Sequence, residues 1–103
     1  MPITLEQNEV ESVIRLEGAI SIPLAAELKQ MLIQALSEGK GLRIDLESCT
    51  ELDITALQLL WAAEREARKS SAVFAAAGSV PEEITIAATA VGFERFPVPT
   101  EPT

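Results

Sequence analysis

Between Leu46 and Leu60 the chain gathers Glu47, Ser48, Cys49, Thr50, Glu51, Asp53 and Thr55, a dense set of groups that could do chemistry. Cys49 is the only thiol. A nucleophilic thiolate needs a neighbouring cation or imidazole, and here Glu47 and Glu51 flank the sulfur and disfavour it. Cys49 therefore reads as a small buried or half-buried loop residue. Glu47, Glu51 and Asp53 hint at a divalent cation, but the glycine and regular carboxylate spacing of a calcium loop are missing, so no metal site is expected. The chain has no histidine, which removes Ser-His-Asp and Cys-His catalysis and imidazole metal sites. No glycine-rich phosphate loop occurs either. No catalytic residue and no cofactor is assigned.

What remains is the mouth of a helix. Asp53 stands just before an amphipathic run, where a carboxylate accepts from first-turn N–H groups and caps the helix. Thr55 falls in that first turn, near the positive end of the helix dipole, where an added phosphate would be tolerated or stabilised. Thr55 is thus a candidate phosphoacceptor; the other reading is an ordinary first-turn hydroxyl.

These groups act only if flanking elements hold them. Ile3 to Gln7 alternates apolar and polar, as a half-buried edge strand does. Asn8-Glu9 makes a tight turn into a second, antiparallel strand over Val10 to Leu16, closed by Glu17-Gly18. Ser21 is expected to cap a helix from Ile22 to about Ser37, with Pro23 tolerated in its first turn. Leu24, Leu28, Met31, Leu32, Ala35 and Leu36 form its apolar stripe, and Gly39 ends it. A strand over Gly41 to Leu46 follows, and the intervening helix implies a right-handed crossover to a parallel partner. After the polar loop comes a helix from Ile54 to Lys69, then a third parallel strand over Ala72 to Ala76. Pro81, Glu82 and Glu83 start a last helix that runs to about Ala90. Phe93 and Phe96 are expected to anchor the chain on the core. Residues 97–103, with Pro97, Pro99 and Pro102, read as a disordered tail, leaving residues 1–96 as the domain.

On a wheel of about 100° per residue, Ala56, Leu59, Leu60, Ala63 and Ala67 fall on one side of the second helix and should face the sheet. Ile54, Gln58, Trp61, Arg65 and Arg68 fall on the other, with Leu57 on their flank. Exposed aromatic and Arg residues on an apolar patch have the composition of an interface hot spot. Alternatively, Trp61 lies flat under a neighbouring loop or helix.

Eight basic against sixteen acidic residues give a net charge of −8. That balance disfavours nucleic acid and anionic lipid, which are bound by clustered Lys and Arg. No apolar run reaches the roughly 18 residues of a membrane span, and the start lacks the basic and apolar segments of a signal peptide. With a single cysteine and 48% apolar residues, the chain reads as one soluble cytoplasmic domain with its own core.

The order of elements and the central motif resemble the STAS family, the sulphate transporter and anti-sigma factor antagonist domains. The resemblance rests on Leu16-Glu17-Gly18, Ala25-Ala26-Glu27-Leu28, Ile44-Asp45-Leu46-Glu47-Ser48 and, above all, Leu52-Asp53-Ile54-Thr55-Ala56-Leu57-Gln58-Leu59-Leu60. It implies an α/β fold: a mixed sheet with a parallel centre, an N-terminal antiparallel strand and helices mainly on one face. It also implies a non-catalytic protein-interaction module in bacterial signal transduction. Stand-alone members dock a partner kinase or switch protein through the second-helix mouth, and many are released when a Ser or Thr directly after the Asp is phosphorylated. Relatives serve sigma-factor control, chemotaxis-type clusters and phospholipid transport complexes. The Leu-Gln-Leu-Leu helix looks nearest to the chemotaxis-associated members. Here Ile54 occupies the phosphoacceptor position, Thr55 follows one residue late, and Ala56 replaces a frequent glycine. The resemblance then implies an anti-sigma-type or histidine-kinase-like ATPase as partner, touched by Ile54, Leu57 and Trp61 and oriented by Gln58 and Arg65. A structural role in a phospholipid-type transport complex is the alternative.

Overall fold

A computed structural model describes residues 2–70, 72–90 and 92. The order is β1 (Ile3–Gln7), β2 (Glu11–Leu16), β3 (Gly18–Ile20), α1 (Ile22–Ser37), β4 (Gly41–Asp45), β5 (Cys49–Leu52), α2 (Ile54–Lys69), β6 (Phe74–Ala76) and α3 (Glu82–Ala90). Asn8 shapes the β1–β2 turn: its Oδ1 accepts from the N–H groups of Val10 and Glu11 at 2.8 and 2.9 Å. The hairpin is antiparallel, with Ile3 opposite Leu16 and Leu5 opposite Ile14. β2 runs parallel to β4, and β4 parallel to β6, so the four-stranded sheet has the order β1-β2-β4-β6.

Alternation along the strands separates the two sheet faces. Ile3, Ile14, Leu16, Leu42 and Ile44 are buried beneath the helices. Thr4, Glu6, Glu11, Arg15, Arg43 and Asp45 point the other way. There Arg15 pairs with Asp45 at 3.1 Å and with Glu6 at 3.7 Å, and Arg43 pairs with Glu11 at 2.7 Å. The helices thus cover one face, and the other is a half-exposed surface of ion pairs. This is the mixed α/β sheet with a parallel centre that the sequence implied.

Ala25, Leu28, Leu32 and Ala35 are the buried stripe of α1. Its end is set by Gly39, whose φ of +74° is a conformation that costs glycine little. Ser21 departs from expectation: it precedes the helix, but its side chain makes no capping hydrogen bond. Its carbonyl instead accepts from the N–H groups of Leu24 and Ala25 at 3.0 and 3.1 Å.

A second departure organises the site. Cys49–Leu52, read from sequence as part of a polar loop, is a strand that pairs in parallel with Gly18–Ile20. Its burial runs in, out, out, in, so the period-two signal of a strand is absent. Phe93, Phe96 and residues 97–103 lie outside the described residues.

Candidate functional site

The small β3–β5 sheet places two helix mouths side by side. Ile20 is paired with Leu52, and each strand enters its helix through a single intervening residue, Ser21 or Asp53. The Asp53 N–H donates to the Ile20 carbonyl at 2.9 Å, and the Gly18 N–H donates to the Ser48 carbonyl at the same distance. The start of α2 is therefore tied by backbone hydrogen bonds to the segment that starts α1. Asp53 Oδ1 accepts from the Thr55 N–H at 2.8 Å, satisfying one of the orphan donors of the first turn. The Asp53 carbonyl accepts from Leu57 N–H at 3.0 Å, opening the regular ladder.

Two large apolar side chains of α2 meet water near this mouth. Ile54, at the first helical position, is 52% exposed, and Trp61 is 43% exposed. The Arg65 guanidinium lies 5.0 Å from the centroid of the Trp61 ring, a cation–π arrangement. Gln58 is exposed between them, while Thr55 is half-buried. Beside the mouth, Thr50, Glu51 and Leu52 of β5 and Glu83, Ile84 and Ala87 of α3 line an open cleft of about 500 Å³.

Leu57 does not share this surface. It is 2% exposed and belongs to the core, which corrects its place on the outer flank. The buried residues of α2 are Ala56, Leu57, Leu60, Ala63, Glu64 and Ala67. At 100° per residue their arc is centred roughly 60° away from the side opposite Ile54. That rotation carries Leu57 and Glu64 inward and leaves Leu59 half-buried rather than on the sheet. Glu64 tolerates burial because Arg68, one turn later, donates its Nε–H to Oε2 at 3.1 Å. Arg68 is thus engaged with Glu64 as well as solvent.

The sequence alone did not single out Ile22, which is 64% exposed at the first position of α1. The signal was present: Ile20-Ser21-Ile22 repeats the order of Leu52-Asp53-Ile54, apolar strand end, cap position, isoleucine. Without knowing that β3 and β5 pair, nothing marks the two triplets as neighbours.

Cys49 is buried and unpaired. Its S–H donates to the Glu51 carbonyl at 3.5 Å. Burial pushes the thiol pKa up, with a backbone hydrogen bond at Glu51 acting the other way. That is the opposite of what a nucleophile needs. Among the described residues no group of His, Cys, Asp or Glu is arranged to hold a metal ion, and no helix is long and apolar enough to cross a membrane.

Comparison with known proteins supplies the family. No curated protein matches the chain. Its fold is similar to that of the anti-sigma factor antagonist SpoIIAA in its unphosphorylated form, with a TM-score of 0.73 at 18% identity over 98% of this chain and 89% of that one. An anti-sigma factor antagonist from Mycobacterium paratuberculosis gives 0.71 at 23% identity, over 96% and 85%. The crystal structure of Mglu gives 0.65 at 16% identity over 79% of this chain but 20% of that one, so the fold also occurs as a fraction of a longer chain. The family model described as Mlab, STAS domain, matches residues 3–94. The chain belongs to the STAS domain family.

Proposed function

We propose that this STAS domain is a non-catalytic docking module whose contact surface is the mouth and outer face of α2. Ile54 and Trp61 supply the apolar contact, with Gln58 and Arg65 orienting the partner. Ile22, at the neighbouring mouth, extends the apolar rim. Leu57 has no part in it, because the core holds it. The observation that carries the proposal is the exposure of Ile54 and Trp61 on one side of a helix whose start is fixed by backbone hydrogen bonds. Rigid apolar and aromatic anchors of this kind dominate protein interfaces. The partner suggested by likeness to anti-sigma factor antagonists is a signalling protein of the anti-sigma or histidine-kinase-like ATPase type.

Docking here is constitutive. Ile54 occupies the position after Asp53 and has no hydroxyl to phosphorylate. Thr55, one residue on, points about 100° round the helix, and its own N–H is already engaged with Asp53. Loss of the switch also favours a second reading, a permanent structural subunit of a phospholipid-type transport complex that uses the same helix.

The test is capture of the cognate partner by the full chain. Ile54→Asp and Trp61→Ala should each weaken capture by roughly 30-fold, the size of a hot-spot loss of about 2 kcal/mol. Capture that survives both changes overturns the docking surface. Incubation with the partner and ATP, followed by mass spectrometry, should leave Thr55 unlabelled and the complex intact. Stoichiometric phosphate on Thr55 with release of the partner overturns the constitutive reading.

A further inference from the structure

The outer face of α2 changes character along its length. Ile54, Gln58 and Trp61 occupy its first half, and Arg65, Arg68 and Lys69, all exposed, occupy its last turns. At about 100° per residue these three cations fall within an arc of about 100°, on the same side as Trp61. Together they line an open hollow of about 330 Å³. The acids of this part of the helix are turned elsewhere. Glu64 is buried and accepts from Arg68, and Glu66 stands at the groove shared with α1. Arg65 and Lys69 form no ion pair among the described residues. A chain with sixteen acidic and eight basic residues thus presents one exposed helix end with two cations to spare.

Arg68 and Lys69 lie in the last turn, where cations complement the negative end of the helix dipole. That accounts for the last turn but not for Arg65, one turn earlier, whose guanidinium lies over the Trp61 ring. Held against the indole face, a guanidinium keeps its in-plane N–H donors for a carboxylate.

We propose, resting on the docking face assigned above, that the basic end of α2 receives an acidic segment of the same partner. The basic residues continue the Ile54–Trp61 face without a break, and Lys69 lies about 12 Å beyond Trp61 along the axis. The partner therefore carries carboxylates about two helical turns from its apolar anchor. Two spare cations suit a short protein segment. Nucleic acid or an anionic membrane presents an extended row of charges, which the net charge of −8 repels. Carboxylates beside an apolar contact meet this chain only locally, within the screening length of about 8 Å at about 0.15 M salt.

Trp61 is the only Trp and the chain has no Tyr, so its fluorescence reports on this face alone. The probes are two synthetic amphipathic helices with leucines at i, i+3, i+4 and i+7. One carries three Glu about two turns beyond the leucines, and the other carries Gln there. Titrated into the full chain, the Glu peptide should bind about fivefold more tightly than the Gln peptide, and added salt should shrink that ratio. Arg65→Gln combined with Lys69→Glu should abolish the preference. Ile54→Asp should weaken both peptides equally and leave their ratio unchanged. Circular dichroism verifies that each variant is folded. Equal binding of the two peptides, still weakened by Ile54→Asp, overturns the acidic segment and keeps the docking face. A preference for Glu that survives loss of Arg65 and Lys69 also overturns it. Binding of neither peptide overturns both.

Discussion

Leu57 and Trp61 sit four residues apart on α2, yet they are expected to respond oppositely to truncation. Leu57 is enclosed by the core, and Leu57→Ala removes apolar contacts and leaves a cavity, at a cost of about 2–5 kcal/mol. Trp61 keeps 43% of its surface in water and rests on the Arg65 guanidinium, so Trp61→Ala should cost less than about 1 kcal/mol of stability. Urea unfolding of the two variants checks both values, and equal losses would place Trp61 in the core. What was readable residue by residue was the environment of Cys49: acids flank it in sequence, and the structure buries it with its pKa raised. Whether an individual apolar residue on α2 faced in or out was not readable. Leu57 and Leu59 are the same residue type two positions apart, and only the rotation of the helix on its neighbours distinguishes them.

At the scale of elements, short loops hold one another. One is the loop between β6 and α3. Glu47 Oε2 accepts from the Ser79 N–H at 2.9 Å, while the Asp45 carboxylate accepts from the Glu47 N–H at 3.0 Å. Gly78, just before Ser79, has a φ of +82°, and a Cβ there would overlap the Glu47 carboxylate. Gly78→Ala should therefore destabilise by more than about 1 kcal/mol, through backbone strain and loss of the Glu47 clamp together. The same replacement in a Glu47→Ala background should cost less, since the clash is gone; a double-mutant cycle in denaturant measures the difference. The α1 and α2 helices and the β1–β2 hairpin were legible because their periodicity is long and regular. β5 was not: four residues, Cys49–Leu52, carry too little pattern, and its pairing with Gly18–Ile20 is a long-range event.

For the whole molecule, stability on the alkaline side is linked to the one buried thiol. Burial raises the Cys49 pKa in the folded state, so the folded protein holds its proton where the unfolded chain has released it. The stability contribution is complete below the ordinary thiol value of about 8.5 and is lost as pH rises through that value toward the folded one. Between pH 7 and 10, the urea midpoint of the natural chain should fall more than that of Cys49→Ala, which differs from it only in lacking the thiol. An equal fall in both would mean that the sulfur is open to solvent when folded. By itself the sequence determined the class of the fold and the family likeness, because element order, local periodicity and the Leu52–Leu60 motif are all local in the chain. Only the tertiary structure decided that β3 and β5 pair to set the two helix mouths side by side, and that α2 is rotated to bury Leu57 and Glu64. Each of these depends on contacts between segments distant in sequence, and no local pattern encodes the angle at which one helix settles against another.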